Sequence, residues 1–169
     1  MPLERSGTYY ASRQLIKKVI YMPMTTRELL ARLIKCEAGG EGDDGMRAVS
    51  SVITNRTNVP NGEFARVSEG GNFRNIIEEA GQFTCLKTSV NGEYNPQNIW
   101  NMEPEQIHYD IADWALANNT LNAVLDSLFY FNPYNPQCPP YFPAGEVGVI
   151  YNRINNHCFY TPTANYAKT

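Results

Sequence analysis

The chain has 169 residues, of which 43% are hydrophobic and 18% charged, so it is not a disordered protein and has room for one cored domain. Fourteen basic and 17 acidic residues give a net charge of −3, which argues against a nucleic acid partner. The sequence has no apolar run of about 18 residues, so no membrane-spanning helix is predicted.

The first 24 residues are predicted to be an N-terminal extension, and residues 25–169 to be a single domain. The apolar pattern of the extension fits a short helix and an edge strand equally well. Lys17 and Lys18 interrupt its apolar pairs, so it lacks the unbroken apolar core of a secretion signal peptide. The sequence therefore predicts a protein that is made in the cytosol and is not exported by that route.

Two helices are predicted next. Thr25-x-x-Glu28 is a capping box ahead of an apolar run that stops at Gly39-Gly40, which predicts a helix over residues 26–37. After the turn EGDDG, apolar residues return at helical spacing in MRAVSSVI and predict a second helix. The two helices are expected to form a hairpin.

The middle of the chain is less regular. Pro, Gly and Asn over residues 58–72 indicate a loop, which is followed by a short helix over residues 73–80 and an extended segment, QFTC. Pro104 fits the first turn of a further helix, because apolar residues follow it at helical spacing. This helix is predicted to be the longest.

Strands come last in the chain. The segment LDSLFYFNP is aromatic and stops at Asn132-Pro133, and EVGVIYNRINNHCFYTP contains two short strands around an Asn-rich turn. Helices followed by a small C-terminal antiparallel sheet are typical of an α+β fold, so this fold class is predicted.

Four cysteines occur without a CxxC motif or a histidine at metal-ligand spacing, so no zinc site is predicted. They are Cys36, Cys85, Cys138 and Cys158. The acidic turn EGDDG lacks the ligand spacing of a calcium loop, and we expect neither a metal nor a cofactor. Two disulfides are an open alternative, but we favour reduced, buried cysteines because the sequence shows no signal peptide.

Glu37 departs from the pattern of the first helix. At about 100° per residue it lies on the same side as Leu33 and Ile34, the side that faces the core. Burial and the negative end of the helix dipole both raise the pKa of a carboxyl group, toward the range of acids that protonate glycosidic oxygens. We therefore predict that Glu37 is a general acid. The alternative is a frayed helix end with a solvated carboxylate.

Four sequence blocks resemble, in the same order, the SleB/CwlJ family of spore cortex hydrolases. They are LLARLIKCEAGGEGDDGMRAVSSVITNR, GQFTC, LFYFNP and INNHCFY, and they span residues 26–161. The first block matches the family pattern at Glu37, Glu41, Gly45, Asn55 and Arg56. Cys36 and Gly39 depart from it, since Ala and Arg are usual at these positions.

The resemblance implies a lysozyme-like, lytic-transglycosylase-like domain that cleaves the peptidoglycan glycan backbone of the spore cortex during germination. Glu37 corresponds to the catalytic glutamate, and Glu41, Asn55 and Arg56 support it. The missing signal peptide and peptidoglycan-binding repeat favour the CwlJ branch, whose members are made in the mother cell and held in the spore coat. The implied location is therefore the boundary of coat and cortex. The expected partners are the glycan strand and a spore coat protein.

The acids closest to Glu37 in sequence lie in the Gly-bounded turn and are interpreted as solvated, although most glycosidases use two carboxylates. They are Glu41, Asp43 and Asp44, of which Glu41 is the best candidate for a structural hydrogen-bond acceptor. A lytic transglycosylase needs one residue that acts first as acid and then as base. We therefore favour that reaction, with an anhydro-muramoyl product, over hydrolysis with a second acid or a bound water.

Six residues are predicted to bind the sugars, because together they offer flat rings and neutral hydrogen-bonding groups. They are Gln82, Phe83, Thr84, Tyr130, Asn132 and His157. His157 also fits a structural role, His108 is expected to pack in the core, and Asn55 and Arg56 are predicted to cap or brace the second helix.

Two other functions are weighed against this one. A cysteine peptidase or amidase would use Cys36 with His157, but a helix C-terminus raises the pKa of a thiol, whereas reactive thiolates favour helix N-termini. A non-enzymatic coat or scaffold protein would use the aromatic, Pro-rich segment FNPYNPQCPPYFP and cysteine cross-links. Both are less favoured than the glycosidase.

Overall fold

The computed structural model describes residues 24–169, so the predicted extension lies outside the described residues except for Met24. The α-helices within this range are α1, Thr26–Ala38; α2, Gly42–Asn58; α3, Gly62–Ser68; α4, Phe73–Glu78; α5, Gln106–Leu116; and α6, Ala164–Ala167. The strands are β1, Ser89–Val90; β2, Glu93–Tyr94; β3, Phe129–Phe131; β4, Gly148–Ile154; and β5, His157–Pro162. None of the helices described is long and apolar enough to cross a bilayer.

The first two helices form where the sequence predicts them, except that α2 begins at Gly42, inside the EGDDG segment that was predicted as a turn. Thr25 accepts a hydrogen bond from the backbone N–H of Glu28 and so caps α1, which ends one residue later than expected, at Ala38. The apolar side of α1 is fully buried, and the matching side of α2 packs against it in the same core. Helices α3, α4 and α5 also pack against α2, so these two helices lie at the centre of the helical part of the structure.

Three local predictions were wrong. The segment predicted as a loop over residues 58–72 contains α3, which forms because Phe64 is buried and its backbone N–H donates to the hydroxyl of Tyr166 near the other end of the chain. The QFTC segment includes a 3₁₀ turn, Thr84–Leu86, where an extended chain was expected. The helix after Pro104 has 11 residues and is shorter than α2, which has 17.

The C-terminal sheet has the strand order β3-β5-β4, and both pairings are antiparallel. Tyr130 on β3 pairs with Phe159 on β5, so the aromatic side chains of the two strands lie close together. Gly148 lets β4 approach this layer, because a Cβ there would lie 2.7 Å from Cβ of Tyr160. Helices first and a small antiparallel sheet last confirm the predicted α+β class.

The prediction of reduced cysteines was wrong. All four form disulfides, Cys36–Cys85 and Cys138–Cys158, with Cα atoms 6.3 and 5.9 Å apart. The prediction was based on the absence of a signal peptide, which indicates a compartment where cysteines stay reduced. It could not anticipate that the fold brings α1 next to the 3₁₀ turn that carries Cys85. In the chain-entropy account these links stabilise the fold by about 4 and 3 kcal/mol, because they limit the unfolded chain.

Candidate active site

A cleft of about 760 Å³ lies between the C-terminal turn of α1, the segment around residues 81–85 and strand β3. It brings together the predicted general acid and all six predicted sugar-binding residues. These are Glu37, Gln82, Phe83, Thr84, Tyr130, Asn132 and His157. Arg56 also lines the cleft, whereas Glu41 and Asn55 do not.

Glu37 lies in the last turn of α1, beside the buried Leu33 and Ile34, and is itself half-buried. The helix continues through Ala38, so the carboxyl group is not on a frayed, solvated end. Burial raises the pKa of Glu37, and this effect outweighs the hydrogen bond from Tyr130 and the nearby charge of Arg56, which both lower it. The side chain therefore keeps its proton to a higher pH than an exposed glutamate does.

Tyr130 contacts Glu37 directly from β3. Its hydroxyl donates to Oε2 of Glu37 at 3.2 Å, and its ring stacks on Phe159 at 6.0 Å and meets the edge of His157 at 5.4 Å. Burial raises the pKa of Tyr130 well above its ordinary value, and the negative charge of Glu37 adds to this effect. Tyr130 is therefore a neutral hydrogen-bond donor that orients the carboxyl group of Glu37.

Arg56 connects α2 to the cleft wall instead of capping its own helix. Its Nε donates to the carbonyl of Leu128 at 2.7 Å, and its Nη1 donates to Oε1 of Gln82 at 3.3 Å. The guanidinium lies over the ring of Phe64 at 4.6 Å and is buried, and burial lowers its pKa. Arg56 thus fixes Gln82 in the wall and places a cation beside the acids of the cleft.

The Gln82–Cys85 segment is held against α1 by the Cys36–Cys85 disulfide. Within it, Gln82 is half-buried, Phe83 is 3% exposed and Thr84 is exposed. Phe83 therefore supports the wall, while Thr84 offers a hydroxyl to a ligand. A disulfide-bonded Cys36 is not a thiol nucleophile, which contradicts the cysteine peptidase alternative.

Glu41 lies beside His157, with its Oε1 atom 3.5 Å from Nδ1 of the histidine ring. The carboxylate of Glu41 accepts hydrogen bonds from the backbone and side-chain N–H groups of Asn156, both at 3.1 Å, and only 9% of its side chain is exposed. The interpretation of Glu41 as a solvated turn acid was therefore wrong, and its alternative role as a structural hydrogen-bond acceptor is confirmed, while Asp43 and Asp44 are exposed. Burial lowers the pKa of His157, which keeps its ring neutral beside Tyr130.

Two other predicted residues are structural in their contacts. Asn55 donates through Nδ2 to the carbonyls of Leu125 at 2.9 Å and Ser127 at 3.1 Å, and so holds the turn that precedes β3. His108 is buried and its Nδ1 accepts from the backbone N–H of Glu105 at the start of α5. Asn55 therefore braces α2 against the approach to β3, and His108 caps a helix.

A second depression, of about 520 Å³, meets the cleft at Glu37. The two share Cys36, Glu37 and Gln97, and the second continues past the acid along Gly39, Gly40 and the start of α5. Glu37 thus lines both hollows.

Two acids in the site were missed from the sequence. Glu63 on α3 lines the cleft, and Glu79, which directly follows α4, lies beside it. Neither acid is close to Glu37 in sequence, and Glu63 fell within a segment predicted as a loop. Phe64 and Val67, three positions apart after Gly62, are the signal that could have indicated a helix there.

The domain shares its fold with the catalytic domain of the germination-specific lytic transglycosylase SleB from Bacillus anthracis. The TM-score is 0.56 at 18% identity, and the match covers 83% of this chain and 98% of that chain. This confirms the lytic-transglycosylase-like fold predicted from the sequence.

A family model described as cell wall hydrolase matches residues 40–160, beginning three positions after Glu37. The cell wall hydrolase CwlJ of Bacillus subtilis is 31% identical over 147 residues, covering 81% of this chain and 85% of that protein. The CwlJ of Oceanobacillus iheyensis is 27% identical over 137 residues, covering 81% of this chain and 86% of that protein. The chain therefore belongs to the cell wall hydrolase family, which confirms the predicted enzyme class and a role in peptidoglycan degradation.

Proposed function

We propose that this protein is a peptidoglycan glycosidase in which Glu37 is the catalytic acid and base. The observation that carries the proposal is the environment of Glu37: a half-buried carboxyl group on the cleft, with a raised pKa and a neutral tyrosine donating to one oxygen. Burial of this kind is how a carboxylic acid is kept protonated for transfer to a glycosidic oxygen.

In the first step Glu37 gives its proton to the glycosidic oxygen as the C–O bond breaks. The carboxyl group becomes a carboxylate while positive charge develops on the sugar. The Tyr130 hydroxyl already donates to Oε2, so it stabilises the negative charge that forms there. Tyr130 is thus the residue that favours the transition state over the protonated ground state.

In the second step the Glu37 carboxylate takes the proton from the muramoyl 6-hydroxyl, whose oxygen then closes an anhydro ring. One residue acts as acid and then base, and no water is consumed. The exposure of Asp43 and Asp44 and their absence from the cleft lining of the described residues support this reaction. Hydrolysis remains the second candidate, because Glu63 lines the cleft and an inverting or retaining hydrolase uses a second carboxylate.

The proposed substrate is the glycan strand of the spore cortex. The cleft offers it a neutral wall of amide and hydroxyl groups at Gln82, Thr84 and Asn132. The resemblance to the SleB/CwlJ family and the shared fold with SleB, a germination-specific lytic transglycosylase, support a role in germination. On the same grounds we propose a location at the boundary of spore coat and cortex, with a coat protein as anchor.

The test compares wild type, Glu37→Gln and Glu69→Gln on purified cortex sacculi. Glu69 is exposed and lies outside the cleft lining, so its variant is the matched control. Turbidity should fall with wild type and Glu69→Gln and stay constant with Glu37→Gln. Activity that survives Glu37→Gln would exclude the proposed chemistry, and an inactive wild type would favour the coat or scaffold role.

Mass spectrometry of the released muropeptides identifies the reaction. If the reaction is that of a lytic transglycosylase, anhydro-muramoyl ends are expected. They lack one water and are therefore about 18 Da lighter than reducing ends. Only reducing muramic ends would mean that water completes the reaction and that the second candidate is correct. Vegetative cell wall, digested in parallel, tests whether the cortex is the preferred substrate.

A further inference from the structure

Glu63 lines the cleft, and its carboxyl group is paired with that of Glu79, which lies beside the cleft. Glu63 is carried by α3 and Glu79 directly follows α4, and the two side chains lie within hydrogen-bond reach of each other. The Oε2 atom of Glu79 is buried, and within residues 24–169 no N–H or O–H group donates to it. A proton on one of the two carboxyl groups would supply the missing donor. Two carboxylates accept but do not donate, so the contact forms when one of them is protonated.

Arg56 lines the cleft together with Glu63 of this pair and with the proposed catalytic acid, Glu37. It is buried against the rings of Phe64 and Phe83, and the negative charges of Glu79, Glu63 and Glu37 oppose the lowering of its pKa by burial. His157, the other basic side chain in the lining of the described cleft, is kept neutral by burial, which lowers its pKa. Arg56 is thus the fixed positive charge of this cleft.

Without a counter-charge, Arg56 would favour the ionised form of Glu37 and so weaken it as a proton donor. A guanidinium near a carboxyl group stabilises the carboxylate and lowers the pKa, and Arg56 acts on Glu37 in this direction. Doubly ionised Glu63 and Glu79 would repel each other inside the wall, whereas one shared proton leaves the pair with a single negative charge. Burial raises the pKa of Glu79, and the adjacent Glu63 adds to the effect, which is consistent with a shared proton.

We propose that Glu63 and Glu79 share one proton, and that the remaining negative charge balances Arg56 so that Glu37 retains its proton. This inference rests on the proposed role of Glu37. Glu63 and Glu79 are then positioning residues that act through Arg56 and form no bond to the reacting sugar.

The groups that face this network come from several elements. Glu37 is faced by Tyr130 from β3, Arg56 from α2 and His157 from β5. The carboxyl pair is faced by Arg56 and, on the side of Glu63, by the Tyr166 hydroxyl from α6. Among these groups, only the two carboxyl groups of the pair can supply the negative charge that balances Arg56 before Glu37 ionises.

The main test replaces both acids, because Glu63→Gln/Glu79→Gln removes the charge while keeping the shapes. Arg56 then stabilises the Glu37 carboxylate more strongly, so Glu37 loses its proton at a lower pH. The alkaline limb of the kcat profile should move to lower pH, and kcat on that limb should fall on the order of tenfold. The conservative variant Glu79→Gln should restore the limb, because its amide donates to Glu63 and leaves one negative charge in the pair.

Carboxyl ¹³C NMR of the same variants reads the Glu37 titration directly, with the resonance assigned by its loss in Glu37→Gln. A lower Glu37 midpoint in the double variant supports the proposal, and an unchanged or higher midpoint overturns it. This readout does not depend on catalysis. If Glu37→Gln were active on cortex, the proposed function would be wrong. The titration midpoint of Glu37 in the double variant would still show whether Glu63 and Glu79 affect its pKa.

A second measurement covers the case in which the double variant does not fold. A pKa raised in the folded state means that the shared proton stabilises the protein at low pH and that this contribution is lost as pH rises through the folded-state pKa. Wild type should therefore lose stability relative to Glu79→Gln as pH rises, because the amide introduced by this substitution does not titrate. Urea unfolding at a series of pH values measures the difference, and a difference that does not vary with pH would overturn the shared proton.

Discussion

Replacing Tyr130 with phenylalanine removes one hydroxyl from the site and keeps the ring that stacks on Phe159. The hydroxyl donates to Oε2 of Glu37 at 3.2 Å, which is long for an O–H···O hydrogen bond. Hydrogen bonds to charged groups contribute about 1.5–3 kcal/mol, and the long distance favours the lower end. Because the bond strengthens as Glu37 becomes a carboxylate, its loss raises the barrier, and we expect kcat to fall roughly tenfold, equivalent to ~1.4 kcal/mol.

The same variant should move the pH profile in a defined direction. The hydrogen bond from Tyr130 lowers the pKa of Glu37, so its removal raises that pKa further. Glu37 then holds its proton to higher pH, and the alkaline limb of kcat moves upward. A slower enzyme with an upshifted limb is a combination that general loss of folded protein does not produce.

The assay is the initial rate of muropeptide release from cortex sacculi between pH 5 and pH 10, with product identified by mass spectrometry. Tyr151→Phe is the matched control, because Tyr151 lies on β4, is 46% exposed and is outside the cleft lining. An unchanged kcat with an unmoved limb in Tyr130→Phe would refute the reasoning. A downshifted limb would also refute it.

Three further predictions concern the frame of the site. Cys36→Ser/Cys85→Ser should lower the free energy of unfolding by up to about 4 kcal/mol, measured by urea denaturation without reductant. Gly148→Ala should lower the melting temperature and cost about 1–3 kcal/mol, because the added Cβ would lie 2.7 Å from Cβ of Tyr160. Glu41→Ala should cost about 1–3 kcal/mol, since the two N–H groups of Asn156 lose their acceptor, and hydrogen exchange should quicken at the β4–β5 turn.

Two of these three variants have a matched control in the chain. Gly40→Ala tests the crowding argument, because a Cβ at Gly40 meets nothing within 4 Å and should leave the melting temperature nearly unchanged. Asp44→Asn, at an exposed acid in the first turn of α2, is the control for Glu41→Ala. Equal stability of the cysteine double variant and wild type under oxidising conditions would contradict the covalent role of the Cys36–Cys85 link.

The sequence allowed accurate prediction where the determining contacts are local. The helical period alone aligned Glu37 with Leu33 and Ile34, and the capping box located the start of α1, because both signals act within one or two turns. The C-terminal hairpin was predicted for the same reason, from alternation around the turn at residues 155–156. Local patterns were therefore enough to predict that Glu37 lies on the core-facing side of α1.

The missed features depend on distant partners. Helix α3 begins among residues of low helical propensity and is held by Tyr166, about 100 positions away, which no local window contains. Likewise, Glu63 is separated from Glu79 and Arg56 in sequence and joins them only after α2, α3 and α4 have packed together. The disulfides were missed because cysteine pairing depends on spatial proximity, and the compartment argument pointed the other way.

Because Glu37 lines both hollows, its position bears on where along the glycan strand cleavage occurs. A strand that occupies both hollows continues on both sides of Glu37, through the main cleft in one direction and past Gly40 in the other. Such a groove accepts the interior of a chain as readily as its end. The expected pattern is endo cleavage, in which the mean strand length drops sharply while few small fragments have yet been released.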